Sequence, residues 1–364
     1  MSSSQINAKE EFLNKLYDDY HYKIPKFQRP FSWTEKNFVD LIDDLIDAYE
    51  VGYNAHGRLL DSSNELNKST LDRYEPYFLG SLILNDGNDS GEHSDIIDGQ
   101  QRLTSLAILI AVLRDLVDDE ARAQSLGGLI YEESDPIKVK SETVRIKIRE
   151  RDREFFDRHV LTEEATTEAP NPETGGTEPE QNILQAIQTF RQSLINWQDE
   201  ENGSLGDFAT YLTLCVVMVR ISTNSLSSAF RLFNVTNARG MPLNNADLLK
   251  SENLSQIDDD DEREEYQRTW EDMEEEVGNE GLERFIGFMR HILVKEKSQK
   301  SVYDEFTDRV FPEDNTFRGT KFVDYLETVF NIHRYRIYNA ELDTDSYEKE
   351  VYYHNLSHER FLSI

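Results

Sequence analysis

The sequence predicts an α+β fold: a small mixed β-sheet surrounded by helices, followed by an α-helical extension. Three patterns carry that expectation. Alternating or wholly apolar runs at "YFLGSLILND", "SDIID" and "CVVMVRISTN" read as strands. The longer segments between them space apolar residues by three and four, the period of a helix packed on a core. Beyond the acidic run "DDDDEREE" (Asp258 to Glu265) only the helical period continues. The expected division is therefore 1–255 for the sheet-bearing domain and 256–364 for the helical extension, with no internal repeat.

In chain order, "AKEEFLNKLYDD" is expected to be a helix. In "YHYKIPKFQRPFSW" two prolines forbid helix and favour extended chain. "TEKNFVDLIDDLIDAYE" places Phe38, Leu41, Ile42, Leu45 and Ile46 at helical spacing behind Thr34, a suitable N-cap. Residues 51–73 are polar and read as a surface excursion. "YFLGSLILND" and "SDIID" form a hairpin signal across a Gly/Asn/Asp/Ser-rich turn. The helix after Gly99 carries a stripe of Leu103, Leu106, Ile110, Leu113 and Val117. "IKVKSETVRIKIRERDREFFDRH" alternates first and turns charged and helical later. "LTEEATTEAPNPETGGTEPEQ" is acidic, rich in Thr, Pro and Gly and without apolar period, so about 162–181 is expected to be a disordered insertion. Helices follow at Asn182 to Trp197 and Phe208 to Leu214, then the strand, then "LSSAFRLFNVTNARG", a helix ended by Gly240. After the turn "MPLNN" comes "ADLLKSENL", capped by Asn244 or Asn245. In the extension, Leu282, Phe285, Ile286, Met289 and Ile292 share a helix face.

The chain has 364 residues, of which 38% are hydrophobic, enough for one large or two modest cores. No run approaches the roughly 18 apolar residues a membrane helix needs, and residues 1–10 lack a signal-peptide core. The single cysteine, Cys215 in "LCVVMV", reads as a small buried hydrophobe. With no cysteine framework or cysteine-rich zinc site, a cytoplasmic protein is expected. The net charge of −32 is spread along the chain and not gathered in a tail. That pattern suits a high-salt cytoplasm, where screening is short-ranged, or equally an acidic protein of ordinary surroundings. Any contact with nucleic acid would need a locally positive surface.

Three polar clusters interrupt the apolar pattern. In "IIDGQQRLTSLAIL" a strand ends in Asp98 and Gly99 and a helix opens with Gln100, Gln101 and Arg102. Such a turn exposes unpaired N–H groups at the positive end of a helix, which bind anions and above all phosphates. Gly99 permits close backbone approach, Arg102 can fork onto a phosphate, and Asp98 can orient a water, a metal or an arginine. The alternative is that Asp98 caps the helix while the other side chains face solvent. In "IPKFQRPFSW", Gln28 and Arg29 lie among Phe27, Phe31 and Trp33, which suits base stacking or equally an aromatic anchor on the core. In "FNVTNARGMPLNNADLLKS", Asn237, Arg239 and Gly240 precede a helix with Asp247 and Lys250 one turn apart, where plain helix packing with an i,i+3 pair is the alternative. One basic concentration, Lys138, Lys140, Arg145, Lys147 and Arg149 running on to Arg151 and Arg153, is either a DNA-backbone stripe or a charge-guarded edge strand. No Walker loop, GxxxxGK[ST], occurs.

Taken in order, "IPKFQRPFSW", "FLGSLIL", "IIDGQQRLTSLAIL" and "FNVTNARGMPLNNADLLKS" resemble the N-terminal domain of GmrSD-type modification-dependent restriction endonucleases. That domain is of the ParB/sulfiredoxin-like type, and the resemblance runs from about Tyr22 to Leu254. It implies an NTP-binding and hydrolysing module, GTP foremost or a broad set of NTPs, that senses modified double-stranded DNA in anti-phage defence and controls a nuclease. Family targets include glucosylated hydroxymethylcytosine DNA and, in the SspE-like branch, phosphorothioated DNA. Carried over residue by residue, Asp98, Gln100, Gln101 and Arg102 would be catalytic. Gln28, Arg29, Gly99, Asn237, Arg239, Asp247 and Lys250 would bind or enclose the nucleotide, with Mg²⁺ on the triphosphate.

The resemblance has one departure. The family architecture ends in an HNH-type nuclease, whereas here His354 and His358 of "YYHNLSHERFLSI" have i,i+4 spacing but no third ligand. No HNH module is visible, so the nuclease is expected on a separate subunit or removed from this chain, with the extension as its linker or docking element. No protein metal site is expected, and a homo-oligomer is compatible with this reading. Competing functions are a DNA-nicking enzyme acting by itself, or a non-catalytic DNA- or partner-binding regulator of the same fold.

Overall fold

Residues Asn7–Phe12, expected to open a helix, form a strand (β1) in the computed structural model. The described residues are 6–25, 28, 30–87, 93–132, 143–168, 171–201, 203–224, 228–229, 232–233, 245–254, 256–257, 259–297, 300–313 and 316–334. β1 pairs antiparallel with β8 (Val216–Thr223), from Asn7↔Ser222 to Phe12↔Val217. Backbone pairing with an apolar strand outweighs the helix propensity of Ala, Lys and Glu, and the charged residues suit an exposed edge. The helical part of that segment is only α1 (Leu13–Asp18).

The remaining strands are β2 (Tyr22–Lys23), β3 (Tyr77–Asn85), β4 (Ser94–Asp98), β5 (Tyr131–Glu132), β6 (Thr143–Val144) and β7 (Ile146–Lys147). Of the eight strands among the described residues, six make one mixed sheet in the order β1-β8-β3-β4-β2-β7, and β5 and β6 form a separate pair. β3 and β4 are the antiparallel hairpin their turn predicts, while β3 runs parallel to β8 and β2 parallel to β4 and β7. The fold is α+β.

Helices α2 (Glu35–His56), the short α3 (Lys68–Leu71), α4 (Gln100–Leu116), α5 (Glu120–Ile130), α6 (Glu150–Phe156), α7 (Glu178–Glu201) and α8 (Leu205–Cys215) complete the sheet-bearing unit. Thr34 caps α2, and Asn37 reaches back to accept its N–H at 3.0 Å. The expected stripe on α4 understates its burial. Ile108, Leu109, Ala111 and Val112 are as buried as Leu103, Leu106, Ile110 and Leu113. A helix apolar on every side belongs in the middle of a core, and α4 packs against α5, α7 and α8. Each such Leu, Ile or Val side chain contributes roughly 2 kcal/mol by leaving water.

The expected disordered insertion at about 162–181 is a correction. Of its described residues, 172–174 form a 3-10 turn and α7 already begins at Glu178. Its anchor comes from α4. The buried Arg114 guanidinium donates to the carbonyls of Val160, Leu161 and Thr162 at 3.3, 2.8 and 2.7 Å and pairs with Asp115 at 2.6 Å. Thr166, fully buried, donates its hydroxyl at 2.7 Å and its N–H at 2.9 Å to the same Asp115 carboxylate. Composition lacks the apolar residues that would signal order, because polar partners hidden in the core supply it.

The chain divides into two compact units, Met1–Thr236 and Asn237–Ile364. The second contains α9 (Asn245–Leu254), α10 (Asp260–Val277), α11 (Asn279–Val294), α12 (Val302–Glu305) and α13 (Thr320–Ile332). The boundary expected near 255 falls earlier because Ala246 and Leu249 of α9 are buried with Trp270, Phe285, Met289, Phe306 and Phe322. Within this core Arg290 and Glu305 form a fully buried ion pair. Among the described residues no helix is long and apolar enough to cross a membrane.

Burial would raise the Asp115 pKa, but hydrogen bonds from Arg114 and Thr166 outweigh it and hold the group below the usual carboxylate range. A depressed folded-state pKa stabilises above the unfolded value of about 3.9, and that stability is lost as pH falls through the folded value. Asp115→Asn should therefore cost about 1–3 kcal/mol at pH 7 in urea unfolding, with the gap from wild type closing below about pH 4.

Candidate functional site

Asp98 closes β4 and Gly99 starts α4 in a left-handed conformation, φ 93°. A Cβ at Gly99 would lie 2.9 Å from Leu82 Cδ1 and 3.3 Å from the Ser81 carbonyl oxygen, so conformation and space both require glycine. No side chain caps this helix, and its first turn holds no acid. The carboxylate nearest the helix dipole and the first-turn N–H groups is that of Asp98, one residue before the cap.

Arg102, half-buried, donates from Nη1 to the Ser81 carbonyl at 3.0 Å. Burial lowers its pKa from the ordinary value, and the charge of Asp98 works in the opposite direction. An arginine so placed stays cationic and presents its remaining donors. The geometry therefore offers a cation, a carboxylate and a helix start within one turn.

The two glutamines that flank this turn hold the frame. Gln101 is buried, and its Oε1 accepts from the N–H groups of Ser32 at 2.9 Å and Trp33 at 3.2 Å while its Nε2 donates to Pro30 O at 2.9 Å. Gln28 Nε2 donates to the carbonyls of Ile97 at 2.9 Å and Ile96 at 3.3 Å. The two motifs that sequence placed apart are thereby joined. Gln101 acts as a positioning group, in contrast to the catalytic role the resemblance implies. Gln100 is also buried. Phe31 stacks on Phe38 with ring centres 5.8 Å apart, Trp33 leans on the same ring, and Asn182 donates to the Phe31 carbonyl at 3.1 Å. For Phe31 and Trp33 the anchoring reading holds; Phe27 and Arg29 lie outside the described residues.

The other expected site residues fall elsewhere. Asn237, Arg239 and Gly240 lie outside the described residues. Asp247 and Lys250 belong to the second unit, where Lys250 Nζ sits 3.1 Å from Glu271 and 3.8 Å from Glu274. His354 and His358, and Lys138 and Lys140, are also outside the described residues. The basic stripe does not extend as one face. Arg145 is buried, donating to the Asp18 carbonyl at 2.9 Å and pairing with Glu132 at 3.3 Å, and the chain turns into α6 at Glu150. Guanidinium burial requires internal partners, and these two remove Arg145 from any DNA-facing set. Lys147 and Arg149 remain half-buried; Lys147 lines a cavity of about 660 Å³ with Tyr131, Arg153 and Asp157.

Sequence reading missed a second polar centre on the same sheet. Arg220, buried on β8, donates to Asp86 at 3.1 and 3.2 Å, to Ser94 at 3.2 Å and to Ser222 at 3.1 Å, and lies 4.2 Å over the Tyr20 ring. Its signal was present: in "VVMVRIST" the alternation that buries Val216 and Met218 puts an arginine inside.

A family model for the N-terminal domain of GmrSD restriction endonucleases matches residues 11–254. The chain belongs to that family. No curated protein matches the chain. Membership makes the GmrSD-type span the N-terminal domain of a restriction-endonuclease system, which acts on DNA. The matched span contains every strand but the first four residues of β1, the Asp98–Arg102 turn and α9.

Gln101→Leu removes three backbone partners and should lower stability by about 2–3 kcal/mol in denaturant unfolding. Proteolysis should then cut first near residues 30–33; protection of that segment in the variant would contradict the frame role.

Proposed function

We propose that this GmrSD-type domain binds and hydrolyses a nucleoside triphosphate at the Asp98–Arg102 turn, GTP foremost or a broad set, and couples turnover to sensing of modified double-stranded DNA. The observation that carries the reading is the uncapped start of α4 beside the Arg102 guanidinium, with Asp98 one residue before the helix cap. Phosphoryl transfer needs positioning and positive charge more than a covalent group, and these residues supply both.

In this reading the first-turn N–H groups and Arg102 hold phosphate oxygens, and Arg102 offsets the charge that develops on them. Asp98 orients water or metal. Gln100 joins them at the first turn, while Gln28 and Gln101 keep the backbone of 30–33 against it. Among the described residues no group of three or more His, Cys, Asp or Glu could form a metal cage. Mg²⁺ would be carried mainly by the triphosphate and water, with Asp98 as the protein's carboxylate, and would neutralise phosphate charge.

Lys147 and Arg149 are the described candidates for contact with the DNA backbone. The nuclease under control is a proposed partner, whether in the same polypeptide or in another.

The test is phosphate release by purified protein with unmodified and modified DNA, at low and at molar salt. Release stimulated by modified DNA is expected. No release with any NTP under any of these conditions would sink the reading. Arg102→Ala should retain the wild-type melting temperature within a few degrees and lose roughly 10³-fold or more in kcat.

A further inference from the structure

β3 is irregular where it meets Arg102. Along β8 it advances from Phe78↔Val217 to Ser81↔Val219, three residues against two, so one extra residue is accommodated between them. Pairing with β4 begins only at Ile83↔Asp98. Gly80 sits inside this bulge with φ 109°, a conformation that side-chain-bearing residues rarely adopt.

The Arg102 guanidinium occupies the place a side chain at position 80 would take. A Cβ there would lie 3.0 Å from Nη1, 3.3 Å from Cζ and 3.5 Å from Nη2. Contact with all three atoms places the guanidinium group against the glycine backbone. The next residue completes the seat, since the Ser81 carbonyl accepts from Nη1 at 3.0 Å. One donor is thus used and the others stay available, on a side chain whose rotamers are already restricted. A regular strand with any other residue at 80 would fill this space.

We propose that the Gly80–Ser81 bulge is a positioning device for Arg102, and that Gly80 sets phosphate affinity and turnover without touching the nucleotide. The inference rests on the proposed phosphate role of Arg102. A merely structural bulge would affect stability alone.

The experiment compares Gly80→Ala, Arg102→Ala, Arg102→Lys and the Gly80→Ala/Arg102→Ala double variant in the full chain, by NTP hydrolysis, melting temperature and ¹⁵N relaxation of the Arg102 Nε–H. Gly80→Ala should lose roughly 10- to 100-fold in kcat/KM, add less than about two-fold in the Arg102→Ala background, and raise the mobility of Nε–H. Arg102→Lys keeps the charge but cannot lie flat in the seat, and should lose about as much as Arg102→Ala. Losses that multiply in the double variant, a Lys variant near wild-type activity, or a mobile Nε–H in the wild type would each overturn the proposal. If Gly80→Ala does not fold, the Lys variant and the wild-type relaxation still decide. If the wild type turns over no NTP, the nucleotide reading falls, while a rigid or mobile Nε–H still decides whether the bulge seats the arginine.

Discussion

The buried amide of Gln101 ties three backbone groups of residues 30–33 to the first turn of α4. Extended segments containing prolines cannot complete a ladder of their own, and their N–H and carbonyl groups are costly to bury unpaired. One side chain supplies the partners at one point, and Gln28 supplies another on β4. Because α4 is enclosed by apolar neighbours along its length, its start is held at a fixed rim of the core. Rigid backbone at the rim is what a binding site requires, since it need not be ordered again when a ligand arrives.

Charge in this protein is distributed unevenly between inside and outside. The chain carries 71 acidic residues against 39 lysines and arginines, yet Arg114, Arg145, Arg220, Arg263 and Arg290 are buried. Each donates to internal carbonyls or carboxylates, as Arg114 does to Asp115 and three carbonyls, so its charge serves internal order. Carboxylates such as Asp115 and Glu305 are buried with them, so the surface keeps the acidic excess of the composition. DNA must then approach against a repulsion that salt screens, which makes ionic strength a natural variable for this system.

The Arg220 centre and the Arg102 turn occupy different parts of the sheet and differ in kind. Arg220 is closed in by Asp86, Ser94, Ser222 and the Tyr20 ring, a buried network that ties β8 to β4 and to the β3–β4 turn. Arg102 has one described backbone acceptor and faces an uncapped helix start. The contrast between an arginine enclosed by side-chain partners and one held by a single backbone carbonyl separates scaffold from candidate site.

Local patterns made the hairpin of β3 and β4, the strand β8, the helices α2, α4, α7 and α8 and the strand-to-helix turn at Asp98–Arg102 legible in the sequence, because alternation, helical period and glycine placement report on short-range geometry. The division of labour within that turn was not legible. Whether Gln101 faces a ligand or the backbone of Ser32 and Trp33 depends on a segment about 70 residues away in sequence. The same holds for residues 7–12, where a helix-like composition pairs with β8, and for 162–168, where a polar loop is ordered by Arg114 and Asp115. In each case the sequence determined which polar groups had to find partners. Only the tertiary structure chose the partners, because hydrogen bonds between distant segments follow from packing and leave no period in the chain.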